Sequence, residues 1–257
     1  MPRYRDIHAI SLDAMGTLIE LRATPQTIYH DILRDLGHAP EKISPLLTDP
    51  NRFRRYWRQA EDRLPASFLG EHEDRFHNYD DAPYAFWGLI FEIMFDDLGL
   101  ASESRLVALE TAYQRFAQPD IWLVEPTFFE LLDFCRSRHI RMFVTSNWDT
   151  RLPELLARLG ISEHFAMIIT SALVRYEKPS PLIFDFLVNA AGCLPEQVLH
   201  VGDDPDLDVV GAEQAGLQAA LYSRDSNDTT GSRAAAVVHS LKEIVGLVNA
   251  LNYEHHF

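Results

Sequence analysis

Charged and hydroxyl-bearing residues occur at four places in this sequence where chemistry could be carried out. They are Asp13, Ser146 with Asn147, Lys178, and the acidic run that begins at Asp203. An aspartate carboxylate can act as a nucleophile, and carboxylate oxygens suit Mg²⁺. A hydroxyl and an ammonium group can stabilise oxygen atoms on which negative charge develops. The set therefore favours metal-assisted attack by a carboxylate on a phosphate ester.

Each of these places follows a short apolar segment or lies in the loop after one. The segments predicted as strands are residues 7–13, 140–145, 165–170, 198–201 and 218–222, and helices are predicted over 128–138, 152–159, 181–191, 209–215 and 241–251. Alternation of this kind predicts a parallel sheet with helices on both faces. Since ligands bind at the carboxyl ends of parallel strands, the four places are expected to meet there.

The predicted fold class is α/β, a Rossmann-like three-layer core with a parallel sheet. Residues 1–20 and 120–257 would form this core, and residues 21–119 would form an inserted, all-helical cap domain. The insertion is predicted from its helical periodicity, because aromatic residues recur at positions 53, 56 and 57 on one face of an amphipathic helix.

Composition narrows the function classes. The net charge of −15 argues against a nucleic-acid or anionic-membrane binder, since such proteins need basic patches. The chain has no apolar run long enough for a membrane span, and its start lacks the apolar core of a secretory signal. Cys135 and Cys193 have neither metal-ligand nor disulfide spacing. We therefore expect a cytoplasmic protein that acts on a small molecule, without nucleic-acid or membrane partners.

Four motifs resemble those of the haloacid dehalogenase (HAD) superfamily, in the same order along the chain. The matching segments are Asp-Ala-Met-Gly-Thr-Leu at 13–18, Val-Thr-Ser-Asn at 144–147, Lys-Pro at 178–179 and Gly-Asp-Asp-Pro-Asp-Leu-Asp at 202–208. The resemblance covers the α/β core, and the insertion resembles the helical cap of that superfamily. Residues 146–152 and the region around Trp87 are most similar to the rhythmically-expressed-gene-2-like subgroup.

The resemblance implies a hydrolase with a defined catalytic set. Asp13 would form an aspartyl-phosphate intermediate, and Thr17, Ser146 and Lys178 would complete the catalytic residues. Ser146, Asn147 and Lys178 would bind the phosphate of a small-molecule substrate.

The resemblance also implies Mg²⁺ as the cofactor. Asp13, the Met15 carbonyl and Asp203 would hold the ion, with Asp208 supporting the site from behind them or through a water molecule. Phosphatases of the superfamily usually carry a second aspartate at the position of Met15, where it acts as general acid and base. A thioether cannot transfer a proton, so the leaving group would need another acid or a low pKa. Candidate donors in the predicted cap are His72, Glu73, Asp74 and His77.

Two other functions stay open. Metal-free 2-haloacid dehalogenases resemble the first motif, with an aromatic residue in place of Met15, but they usually replace the Gly-Asp of the fourth motif, which this chain keeps as Gly202 and Asp203. A catalytically silent relative that binds a phosphorylated ligand or a protein would also lack the acid, although it would not need Asp13 or Lys178. Neither the substrate nor the oligomeric state follows from the sequence.

Overall fold

The computed structural model describes residues 6–64, 82–224 and 236–253. The chain divides into two compact units. The first comprises Met1–Glu20 with Leu123–Phe257, and the second comprises Leu21–Trp122. The proposed proton donors between positions 72 and 77 lie outside the described residues.

The first unit is built on a six-stranded sheet in which every described strand pair is parallel. Its strand order, β5-β4-β1-β6-β7-β8, confirms the predicted Rossmann-like α/β class. Numbered along the chain, the strands are β1 (Ala9–Leu12), β2 (Ile19–Leu21), β3 (Trp122–Val124), β4 (Arg141–Ser146), β5 (Met167–Thr170), β6 (Val198–Gly202), β7 (Gln218–Tyr222) and β8 (Val237–Val238). Strands β2 and β3 pair separately, as a two-stranded sheet.

Helices follow the strands of the first unit, and both faces of its sheet are covered. Side chains of Ile10 and Leu12 point to the face opposite Ala9 and Ser11, and all four residues are fully buried. The helices of the chain are α1 (Pro25–Asp35), α2 (Pro40–Ile43), α3 (Pro45–Thr48), α4 (Arg52–Arg63), α5 (Ala82–Asp97), α6 (Arg105–Phe116), α7 (Phe128–Arg138), α8 (Leu152–Arg158), α9 (Ser171–Val174), α10 (Pro181–Ala191), α11 (Gly211–Gln214) and α12 (Glu243–Tyr253).

Helix α10 shows how local sequence sets an element that supports the site. The Ser180 side chain accepts a hydrogen bond from the Leu182 amide at the N-terminus, and Pro181 occupies the first turn, where no amide donor is needed. Gly192 ends the helix in the left-handed conformation. The buried face of α10 joins the apolar core on one side of the sheet, which includes Ala9, Phe143, Ile183, Phe184, Leu187, Val198, Ala219 and Leu221.

The second unit contains helices α1 to α6. Its described residues between 22 and 121 form helices and turns, and Leu21 at its start belongs to β2. Aromatic packing holds the unit together, with the Tyr29 ring stacked on Phe53 at 5.1 Å and edge-on to Phe91 at 5.6 Å. Aromatic contacts of this kind add to the free energy of burial.

Among the described residues, no helix combines the length and the apolar character that crossing a membrane requires.

Candidate active site

The turn after β1 carries Asp13, whose side chain is buried. Amides of Leu18 and Ile19 donate to the Ala14 carbonyl at 2.9 and 2.8 Å, so the chain turns back directly after the aspartate. Gly16 has a φ of +94°, a conformation that L side chains rarely adopt. The Thr17 hydroxyl is fully buried and has no hydrogen-bond partner among the described residues. Met15 is 51% exposed.

Asn147, after β4, holds the backbone of Lys178. Its amide nitrogen donates to the Lys178 carbonyl at 2.8 Å, and its amide oxygen accepts from the Lys178 backbone amide at 2.7 Å. Asn147 was predicted to bind substrate, and the structure shows its side chain engaged with this loop. The Lys178–Pro179 peptide bond is cis.

The Lys178 ammonium group lies between two buried carboxylates. Its Nζ donates to Asp13 Oδ1 at 2.6 Å and also to Asp208 Oδ1. Burial alone would lower the pKa of Lys178, but attraction to the two carboxylates raises it above its ordinary value. The ammonium group therefore stays charged at neutral pH.

The acidic run after β6 supplies two carboxylates to the site. Asp204 caps the π-helix Pro205–Val210 by accepting hydrogen bonds from the Asp206 and Leu207 amides, both at 2.9 Å. This helix carries Asp208 back to the site, where its Oδ2 accepts from the Asp204 amide at 3.0 Å. The predicted helix began at residue 209, so the structure places its start four residues earlier.

Two glycines make room for these carboxylates. A Cβ atom at Gly16 would lie 2.4 Å from Asp203 Oδ2, and a Cβ atom at Gly202 would lie 2.0 Å from Asp208 Cγ. Both distances are shorter than any tolerable contact. The carboxylates of Asp203 and Asp208 therefore reach their positions because these backbones carry no side chain.

The carboxylates of the site differ in pKa. Desolvation raises the pKa of Asp13, an effect that Lys178 opposes and Asp208 reinforces, while a hydrogen bond from Ser146 favours the ionised form. Desolvation of the carboxyl group, followed by repulsion from Asp13 and Asp208, raises the pKa of Asp203 to about 7, although the residue as a whole is exposed. Burial would also raise the pKa of Asp208, but Lys178 and His200 lower it.

This cluster fits a divalent cation. One carboxylate oxygen each from Asp13, Asp203 and Asp208 lies within 4.8 Å of the other two. Three carboxylates face one ammonium group, and desolvation is the main cause of the raised pKa values of Asp13 and Asp203, to which repulsion from the other carboxylates adds. An all-oxygen donor set of this kind suits Mg²⁺.

A row of buried polar residues behind the site was not predicted. His200 Nε2 lies 3.0 Å from Asp208 Oδ1, and His200 Nδ1 lies 3.1 Å from the Ser11 hydroxyl. Ser11 in turn is hydrogen-bonded to Thr145 at 2.8 Å. The only signal in the sequence was a polar side chain within each of three apolar strands.

Comparisons with known proteins agree with the geometry. A family model described as a haloacid dehalogenase-like hydrolase matches residues 7–216. Haloacid dehalogenase-like hydrolase domain-containing protein 3 of Bos taurus is 28% identical over 66% of this chain and 68% of its own length. The Rhythmically expressed gene 2 protein of Drosophila melanogaster is 35% identical over 34% of each chain.

A glyceraldehyde 3-phosphate phosphatase of Methanothermobacter thermautotrophicus is 34% identical over 43% of this chain and 53% of its own length. Among solved structures, a putative beta-phosphoglucomutase from Thermotoga maritima superposes with a TM-score of 0.69, at 18% identity, over 95% of this chain and 99% of its own. That likeness bears on the fold alone.

Proposed function

The chain belongs to the haloacid dehalogenase-like hydrolase family, and we propose that it is a Mg²⁺-dependent phosphatase that acts through an aspartyl-phosphate on Asp13. The observation that carries the proposal is the buried contact of Lys178 with Asp13 and Asp208, in a cluster that Asp203 completes. Phosphatase names among its relatives support a small-molecule phosphate ester as the substrate.

In the first step, an oxygen of the Asp13 carboxylate attacks phosphorus and the bond from phosphorus to the leaving oxygen breaks. Lys178 and the Ser146 hydroxyl donate to phosphoryl oxygens, which gain negative charge as the bonds rearrange. In the second step, water attacks phosphorus and the bond from phosphorus to the Asp13 oxygen breaks, which restores the carboxylate and releases inorganic phosphate that carries the protons of the water. Bound Mg²⁺, held by Asp13 and Asp203 with the Met15 carbonyl, would neutralise charge between the carboxylate and the phosphoryl group.

Asp208 supports this set and is already occupied by protein donors. Its Oδ1 accepts from Lys178 and His200, and its Oδ2 accepts from the Asp204 amide. We therefore place Asp208 behind Asp13 and Asp203 with respect to the cation.

The leaving group is the weak point of the mechanism. Met15 occupies the position of the usual acid, and its thioether cannot protonate an alkoxide. Good leaving groups do not need this proton, so we propose aryl and acyl phosphates as the preferred substrates.

The test is phosphate release from an aryl phosphate with Mg²⁺ and with a chelator. We expect release with Mg²⁺ alone, and acid quenching should trap one phosphoryl group on the peptide that contains Asp13. The Asp13→Asn variant should lose at least about a thousandfold in rate, since the nucleophile is removed.

The matched control is Asp206→Asn, which removes an exposed carboxylate from the same acidic run. It should keep wild-type activity. Halide release from 2-chloro acids that persists in chelator, without phosphatase activity, would establish the dehalogenase instead. Failure of both assays, with retained binding of phosphorylated ligands, would identify a silent binding protein.

A further inference from the structure

The buried polar row behind the site consists of Ser11, Thr145 and His200, each with no exposed surface. The three residues lie on three adjacent strands, β4, β1 and β6. Ser11 is directly opposite His200 in the register of β1 and β6. Thr145 is hydrogen-bonded to Ser11, and Ser11 is hydrogen-bonded to His200. His200 in turn contacts Asp208, so the row is continuous from Thr145 to the site.

This row lies in the sheet between the apolar core and the candidate active site. Ala9 and Ser11 alternate along β1 and therefore share a face, and Asp13 directly follows the strand. Ala9 belongs to the apolar core cluster, whereas Asp13 belongs to the site. The row lies between the two, and its three residues are as deeply buried as Ala9 in the apolar core. Burying polar groups there is unfavourable unless they are fully hydrogen-bonded, so the row calls for a functional reason.

The contacts of His200 define which ring atom must carry hydrogen. Asp208 is ionised beside Lys178, and an ionised carboxylate only accepts hydrogen bonds. His200 Nε2, 3.0 Å from Asp208 Oδ1, must therefore donate. Nδ1 lies 3.1 Å from the Ser11 hydroxyl oxygen, and the Phe184 ring stands edge-on to the imidazole, with ring centroids 5.2 Å apart. The imidazole is thus held from three sides.

We propose that His200 is a positioning residue that orients Asp208 and, through it, the Lys178 ammonium group that faces Asp13. Asp208 Oδ1 accepts from both His200 and Lys178, so the direction of the carboxylate determines where the ammonium group lies. Ser11 and Thr145 act one contact further back by holding the imidazole in the orientation that donates to Asp208. This role rests on the proposed function, since it serves the Lys178 that would bind the phosphoryl group.

Three variants separate the hydrogen bond from the packing. His200→Phe keeps a ring against Phe184 but removes the donor to Asp208. His200→Gln offers an amide N–H that can reach the place of Nε2, and Ser11→Ala removes the support at Nδ1 together with the hydrogen bond to Thr145. The matched control is Val198→Ala, which opens space on the same face of the same strand without touching the site.

We expect His200→Phe to lower kcat by about 10- to 100-fold with little change in KM, as loss of supporting contacts around a metal-site carboxylate typically does. His200→Gln should recover most of that loss, and Ser11→Ala should have an intermediate effect. Val198→Ala should lower Tm but leave kcat unchanged. If Val198→Ala lowers kcat as much as His200→Phe at equal loss of stability, the role is structural and the proposal is overturned.

A second measurement does not depend on turnover. Nitrogen-15 NMR of the imidazole in the metal-free protein should show hydrogen on Nε2, in a slowly exchanging signal that Asp208→Asn alters. Mg²⁺ binding followed by calorimetry should weaken in His200→Phe and recover in His200→Gln. An Nε2 atom without hydrogen would overturn the proposal even in an active phosphatase. A different outcome would refute the proposed function and leave the positioning role standing. It is a hydrogen on Nε2, with Mg²⁺ binding that weakens in His200→Phe and recovers in His200→Gln, in a protein without phosphatase activity.

Discussion

Two ion pairs of almost equal length lie in the two units of this molecule. In the first unit, Lys178 Nζ is 2.6 Å from Asp13 Oδ1, and in the second, Arg115 Nη1 is 2.7 Å from Asp120 Oδ1. The side chains of the first pair are 2% and 9% exposed, and those of the second are 37% and 65% exposed. The N···O distance alone does not distinguish the two pairs.

The pKa values of the two carboxyl groups shift in opposite directions. The hydrogen bond from Arg115 lowers the pKa of Asp120, as expected for a surface pair. The pKa of Asp13 is raised, because desolvation and the nearby Asp208 outweigh the attraction of Lys178. The same contact that stabilises an ionised carboxylate at the surface does not offset the desolvation of a buried one. A bound cation would supply the further stabilisation that the buried carboxylate lacks, whereas the surface pair needs none.

The strongest test of this contrast is Lys178→Met. Removing the ammonium group leaves Asp13 and Asp208 facing each other without compensation in a buried site. We expect a loss of about 3–5 kcal/mol in the free energy of unfolding, measured by denaturant titration at neutral pH without metal. Phosphate release should fall below detection.

Two comparisons decide whether the loss comes from uncompensated charge. Lys242→Met removes an exposed lysine of the same unit and should leave stability unchanged. Adding Asp13→Asn to Lys178→Met should restore part of the lost stability, because it removes one of the opposed charges. A Lys178→Met protein as stable as wild type would show that burial does not distinguish the two pairs.

Asp203 should make the stability of the metal-free protein depend on pH. Its pKa rises from 3.8 to about 7 in the folded state, so between these values the folded protein binds more protons than the unfolded chain. Stability should therefore fall as pH rises from about 4 to about 7 and then level off. Asp203→Asn should flatten this decline in denaturation midpoints, and Mg²⁺ should reverse it by favouring the ionised form. A slope unchanged in the variant would assign the effect to another group.

Met15→Asp should have a smaller effect that depends on the substrate. The new carboxyl group can protonate a leaving oxygen, which matters for alkyl phosphates and little for aryl phosphates. We expect kcat/KM to rise by about tenfold on alkyl esters, a fraction of the full benefit of acid catalysis. The measurement is the slope of log kcat/KM against leaving-group pKa, which should become shallower. A wild-type enzyme equally fast on both classes would mean that another residue already donates the proton.

The smallest effect is expected for Arg115→Met. Solvent already screens this pair, and surface ion pairs contribute little to stability. Tm and phosphate release should both stay within the replicate error of wild type. A clear drop in Tm would show that the exposed pair also stabilises the fold, which would contradict the contrast between the two pairs.

Much of the structure of the first unit could be predicted from the sequence, because local patterns mark its strands and helices and their alternation repeats along the chain. The predicted α7 and α10 have the bounds found in the structure, and α10 in particular lies between a serine cap with a proline and a final glycine. Asp13 and Ser146 lie at the ends of neighbouring parallel strands, which share one edge of the sheet, and Lys178 lies in the loop that follows β5 and α9.

Other features depend on contacts that no local pattern encodes. The role of His200 depends on Asp208, which a π-helix returns to the strand end. Strand β8 is only two residues long and pairs with β7 at the sheet edge, so its sequence carried no period to detect. Substrate choice is harder still, because helical periodicity in the second unit describes packing and says nothing about which surface meets a ligand.

The missing side chains at Gly16 and Gly202 have a consequence for how this protein can change. Each glycine leaves open the volume that a carboxylate from another residue fills. A single added methyl group at either position would displace an acid of the cluster without altering any charged residue. In a library of random variants selected for turnover, both positions should therefore be as invariant as the aspartates themselves. The evolutionary constraint on this site thus extends to two residues that offer the substrate no functional group.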